Sequence, residues 1–219
     1  MDHARAWAMV ETMAGMQESY NREVHPDWRG QGYPFYRAVW VECAELLDHF
    51  GWKWWKHQRP DLEQVKLEIV DIWHFGMSDM LRSGTLTPDI VGPLLDPLRP
   101  GAAPVTAAQD PDAFRAAIES LAQETLAARQ FVLAPFARVL GVLPLPFDEL
   151  FRLYVGKNVL NSFRLAFGYK TGTYAKRWGD REDNEHLVEV LAALSVPPES
   201  VPEQLYAELE VRYRAHLDS

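Results

Sequence analysis

The chain has 219 residues, enough for one substantial domain, and 47% of them are apolar, as in folded globular proteins rather than disordered ones. A formal net charge of −9 argues against general affinity for nucleic acid or anionic membranes, although a local cluster of Lys and Arg can still hold an anionic substrate. The single cysteine, Cys43, cannot form an intrachain disulfide, which predicts a reducing cytoplasm; no apolar run approaches the roughly 18 residues of a membrane span, and the amphipathic start lacks the pattern of an export signal.

Helical periodicity dominates from the first residues. Trp7, Val10, Met13, Met16 and Tyr20 recur at helical spacing and predict a helix over about 2–21. A second runs over about 33–50, with Val39, Leu46, Leu47 and Phe50 on its apolar side and Gly51 as a stop. Asp61 is a candidate N-cap for a third helix reaching about Ser83, closed by Gly84. The segment 87–112, which includes Pro97, Pro100 and Pro104, reads as a short helix followed by a linker. One helix is expected over about 111–140, kinked or shortened by Pro135. Pro144 and Pro146 precede a helix over about 147–167, and two more are expected near 183–194 and 202–217. No internal repeat, heptad array or alternating strand pattern is present, so the fold class is all-α, a helical bundle.

Two helices carry paired carboxylates. Glu42 and Glu45 lie three residues apart in VECAELL, and Glu68 and Asp71 repeat that spacing in LEIVDIWHF. An i,i+3 pair shares one helix face, so two such helices packed together would bring four carboxylates close enough to repel one another unless cations sit among them. Hard divalent ions suit oxygen ligands, and Mg²⁺ suits a site that also takes phosphates. The plain alternative is solvated surface, but both pairs sit beside aliphatic and aromatic residues rather than in charge-dense faces. Asp71-x-x-His74 also raises a di-iron bundle, which needs a Glu-x-x-His pair on two helices; Glu45 lacks the matching His.

The run GWKWWKH after the first carboxylate helix is either a plug between helices or a platform for sugar and base, with Lys56 near phosphate. His74 and Phe75 extend the carboxylate face, and Phe75 could stack on a base. Residues 154–184 concentrate Lys157, Arg164, Lys170, Lys176 and Arg177 in an otherwise acidic chain. Gly156, Gly168, Gly172 and Gly179 permit turns or close approach, and Asn158 and Asn161 supply amides for sugar or phosphate. That set suits a polyphosphate, although neither a P-loop nor a GxGxxG is present.

Taken together, the blocks resemble the all-α dimeric dUTPases, a family that includes phage dCTPase–dUTPases. Gln17-x-x-x-Asn21, Glu42-x-x-Glu45 leading into WKWWK, Glu68-x-x-Asp71-x-x-His74-Phe75, GKNVLNSFR and GYKTGTYAKRWGDREDN follow the family's order and cover about half the chain. The stretch over about 85–146 matches no family motif.

The resemblance implies one all-α domain over 1–219: carboxylate helices over about 2–84, a divergent helical segment over 85–146 and a substrate-closing region over 147–219, as a rigid core with a smaller mobile lobe. It implies Mg²⁺ held by Glu42, Glu45, Glu68 and Asp71, with Glu42 and Glu45 as catalytic carboxylates and Glu42 favoured as the base for the attacking water. Gln17, Asn21, Trp54, His74, Phe75 and Asn161 would hold the base and nucleoside. Lys56, Lys157, Arg164, Lys170, Tyr174, Lys176 and Asn184 would contact the phosphates and ribose. The implied reaction is dUTP plus water to dUMP and pyrophosphate, in a cytoplasmic homodimer (in the host cytoplasm if phage-encoded). Because Gln and Asn amides can present either face, dCTP or a broader range of deoxynucleotides is the nearest alternative; a non-catalytic helical binding protein is a distant one.

Overall fold

The computed structural model describes residues 1–96, 110–143, 145–196 and 200–217, so the linker prolines Pro97, Pro100 and Pro104, and also Pro144, lie outside the described residues. Helices begin where side chains satisfy the exposed amides of a first turn. Asp2 accepts from Arg5 N at 2.7 Å ahead of α1 (His3–Val24), and Asp61 accepts from Gln64 N at 3.2 Å ahead of α3 (Leu62–Ser83). Gly84 closes α3 in the left-handed region. Between them α2 spans Phe35–Phe50, preceded by a 3₁₀ turn at Trp28–Gln31. After a second 3₁₀ turn come α4 (Val91–Leu95), α5 (Pro111–Ala128), α6 (Leu133–Val142) and α7 (Phe147–Ala166). A third 3₁₀ turn, α8 (Asp183–Ala193) and α9 (Val201–Leu217) complete the order. The fold is all-α, and no helix among the described residues is long and apolar enough to cross a membrane.

One expectation is corrected. The helix expected over about 111–140 is two helices, because Arg129 takes a left-handed conformation (φ 52°) that ends α5. Pro135 then falls in the first turn of α6, where a missing amide hydrogen costs nothing. The reversal is held by Asp79 Oδ2, which accepts from Phe131 N at 2.7 Å, and it brings Phe131 and Phe136 onto Trp73, whose ring stacks on Phe136 at 5.2 Å. A short hairpin adds to the helices. Residues β1 (Arg177–Trp178) and β2 (Arg181–Glu182) pair antiparallel around a turn containing Gly179 (φ 65°), a hairpin too short to show an alternating pattern.

The chain divides into two compact units, Met1–Phe151 and Arg152–Ser219, with the division inside α7. In the first, α3 is the central helix. Val65, Leu67, Ile69, Val70, Ile72, Trp73 and Met77 are all buried, which covers every face rather than one stripe. Its most extensive partner is α2, and α1 also packs on it. Gly76 lets the Phe131 ring approach the α3 backbone, since a Cβ there would stand 2.7 Å from ring carbons. In the second unit α8 packs on α9, and Gly156 of α7 makes room for the Leu191 side chain of α8.

Candidate functional site

The α2–α3 contact sets the carboxylates against each other. One oxygen each from Glu42, Glu68 and Asp71 lies within 4.8 Å of the other two. Glu68 is buried, while Glu42 and Asp71 are half-buried. Burial pushes the Glu42 carboxyl up to about 9, and the charge of Asp71, a hydrogen bond with Glu68 and the charges of Glu68 and Glu45 push the same way. A proton thus does there what a cation could do better. The donor set, oxygen only and crowded with negative charge, fits a hard divalent ion. Glu45, one turn along α2 from Glu42, is exposed and stands outside this tight group. His49 Nε2 approaches Glu68 Oε1 at 3.5 Å, a neighbour that spacing did not single out.

Gln17 and Asn21 of α1 are both buried and meet α3 through Ser78. Gln17 Nε2 donates to Ser78 Oγ at 2.9 Å and to Asn21 Oδ1 at 3.0 Å, and Asn21 Nδ2 donates to Ser78 Oγ at 3.0 Å. Ser78 in turn donates to the His74 carbonyl at 3.0 Å. His74 Nδ1 lies 2.8 Å from the Val70 carbonyl, which only accepts, so Nδ1 carries a proton. Phe75 is half-buried. Ser78 escaped the sequence reading, although its i+4 distance from His74 places it on the same face.

The tryptophan run is not a plug between helices. Trp52, Trp54 and Trp55 are exposed, Trp54 at 90%, and Trp55 makes edge contacts with the other two at ring separations of 5.3 Å. Gln58 Oε1 ties the loop by accepting from Trp52 N and Lys53 N at 3.0 and 2.8 Å. Arg115 of α5 binds the Gly51 carbonyl through Nε and Nη2. Lys56 is exposed.

The second unit holds a polar network of its own residues. Lys157, 1% exposed, donates to Asn184 Oδ1 at 2.9 Å. Arg164 grips Asp183 by two bonds of 2.8 Å from Nε and Nη2, and also reaches Asn161 Oδ1 at 3.1 Å and Asn184 Oδ1 at 3.3 Å. The Tyr174 hydroxyl donates to Asp183 Oδ2 at 2.8 Å; burial first, and the Asp183 charge second, hold its pKa far above the ordinary value. Lys170 and Lys176 are exposed, and Asn158 is buried on α7. Of the four glycines noted in this stretch, Gly168, Gly172 and Gly179 serve turns at positive φ, whereas Gly156 serves helix packing.

A family model described as dUTPase matches residues 9–169, well over half the chain. The chain belongs to the all-α dUTPase family. Membership makes it a nucleotide hydrolase of dUTPase type, with a nucleotide substrate, and this family typically uses a divalent metal. The match includes the stretch over 85–146 in which no motif was recognised, and it ends before Lys170, Tyr174, Lys176 and Asn184. No curated protein matches the chain.

Proposed function

We propose that this dUTPase-family chain hydrolyses dUTP to dUMP and pyrophosphate. The observation that carries the reading is the convergence of Glu42, Glu68 and Asp71 within 4.8 Å on two packed helices of a dUTPase-family chain. Glu42, Glu45, Glu68 and Asp71 are the proposed ligands of Mg²⁺, which when bound would make the phosphorus more electrophilic and neutralise charge on the leaving pyrophosphate. Glu42 orients the attacking water and takes its proton as the water oxygen bonds to the α-phosphorus and the bond to the β-phosphate bridge breaks.

Gln17, Asn21, His74 and Phe75 are the proposed base contacts, with Trp54 and Asn161 beside the nucleoside. The Ser78 bridge supports the first pair, because it orders both amides before any ligand arrives. Lys56, Lys157, Arg164, Lys170, Tyr174, Lys176 and Asn184 are the proposed phosphate and ribose contacts, a set whose members carry cations or hydrogen-bond donors. We further propose that the enzyme acts as a cytoplasmic homodimer, and that residues 1–219 work as one catalytic domain.

The test is pyrophosphate release from dUTP, dCTP and dTTP with Mg²⁺, repeated with Glu42→Gln and Glu45→Gln. The expected result is dUTP turnover lost in Glu42→Gln. Absence of pyrophosphate from every triphosphate would refute the reading, and activity surviving both substitutions would refute the metal assignment.

A further inference from the structure

The proposed phosphate-binding set of the second unit has a common anchor that is not itself in the set. Asp183 opens α8, and its side chain is fully buried. Both of its oxygens are used: Oδ1 accepts from Arg164 Nη2, and Oδ2 accepts from Arg164 Nε and from the Tyr174 hydroxyl, each at 2.8 Å. Its backbone N–H donates to the Lys176 carbonyl at 3.0 Å. One residue therefore touches Arg164, Tyr174 and Lys176, which lie on α7 and on the chain leading into the hairpin. The next residue, Asn184, is oriented by the same arrangement. Its Oδ1 accepts from Lys157 Nζ and from the Arg164 guanidinium that Asp183 holds, which leaves Nδ2 as the donor end of the amide.

The planar fork of Arg164 is useful only at a fixed angle. We infer that Asp183 is a positioning residue for nucleotide hydrolysis, fixing Arg164 and Tyr174 and, through Arg164, the Asn184 amide, so that the phosphate-binding groups are set before substrate arrives. This rests on the functional reading given above. Asp183 does not touch phosphate. Its removal acts on binding, because the carboxylates of the first unit are unchanged.

The experiment measures kcat and KM for dUTP with Mg²⁺ on the full chain, alongside calorimetric binding of inorganic tripolyphosphate. Asp183→Asn replaces an acceptor by a donor against Arg164, and is expected to raise KM and the tripolyphosphate Kd by about tenfold while kcat stays within about threefold. Tyr174→Phe, which deletes one hydrogen bond and keeps the buried ion pair, is expected to raise KM by about threefold, and the double variant to be no worse than Asp183→Asn alone. Additive losses overturn the inference, as does an unchanged KM in either variant or a fall in kcat with KM and Kd unmoved. If Asp183→Asn fails to fold, Asp183→Glu, which keeps the charge but displaces the carboxylate by one methylene, is read for the same rise in KM and Kd with kcat held. Wild-type chain that binds tripolyphosphate, loses it in the Asp183 variant and turns over no triphosphate would sink the dUTP reading while leaving the positioning role standing. Turnover with an unmoved KM in the variants does the reverse.

Discussion

At pH 7 without metal, Glu42 keeps a proton in the folded chain that it would lose on unfolding. Its carboxyl is pushed up to about 9 against an ordinary 4.5, so folding takes up a proton throughout that window. Stability from this group is therefore fully present below about pH 4.5 and lost as pH rises toward 9. Thermal melts of metal-free protein should show Tm declining across that range, with the decline flattened by Mg²⁺ or by Glu42→Gln; a rising Tm would contradict the assignment. Ser78 makes a second prediction at this scale. Ser78→Ala removes an acceptor shared by two buried amides, which costs about 1–3 kcal/mol in urea unfolding. Unchanged stability would mean that the amides re-pair without it. The carboxylates were legible in the sequence because i,i+3 spacing is a local signal. Ser78 was not, because its hydroxyl acquires its partners only when α1 reaches α3, and Asp183 stood inside a quoted block without any spacing that marked it as an anchor.

Helix boundaries were legible wherever a side chain or a glycine announced them, as Asp61 and Gly84 do for α3. The α5–α6 reversal was hidden because Arg129 sits where a glycine would have signalled the end. That gives a prediction with a definite sign. Arg129→Gly relieves a left-handed conformation that an L side chain adopts at a cost, and should stabilise the protein by about 1 kcal/mol in denaturant unfolding. Loss of stability would show that Arg129 contributes contacts outweighing its strain. Gly76 runs the other way. Alanine is the better helix former by about 1 kcal/mol, yet its Cβ would meet the Phe131 ring at 2.7 Å, within a cluster already filled by Trp73 and Phe136. Overpacking of this kind costs about 1–3 kcal/mol, so Gly76→Ala should lower the urea midpoint, and a neutral or raised midpoint would mean that the ring yields freely.

Across the molecule, an acidic composition excluded polyanion-binding classes but could not show that the four carboxylates and the cation-rich network belong to different compact units. That division depends on which helices meet, and composition carries no such information. It also localises the response to metal. All four proposed ligands sit on α2 and α3 in the first unit, so a bound ion stabilises those helices by mass action, about 1.4 kcal/mol at ten times its Kd. Hydrogen exchange with and without Mg²⁺ should slow most in α2 and α3. Protection gained first in α8 and α9 would place the ion elsewhere.

The tied but outward-facing loop at residues 51–58 gives this chain a built-in optical reporter. Trp52, Trp54 and Trp55 of the loop and Trp40 of α2 face solvent, whereas Trp28, Trp73 and Trp178 are buried, so the two groups emit from different surroundings. Iodide should quench the first group and leave the second bright. Any ligand that settles against the loop can then be followed by the loss of that quenching, with no label attached to the protein.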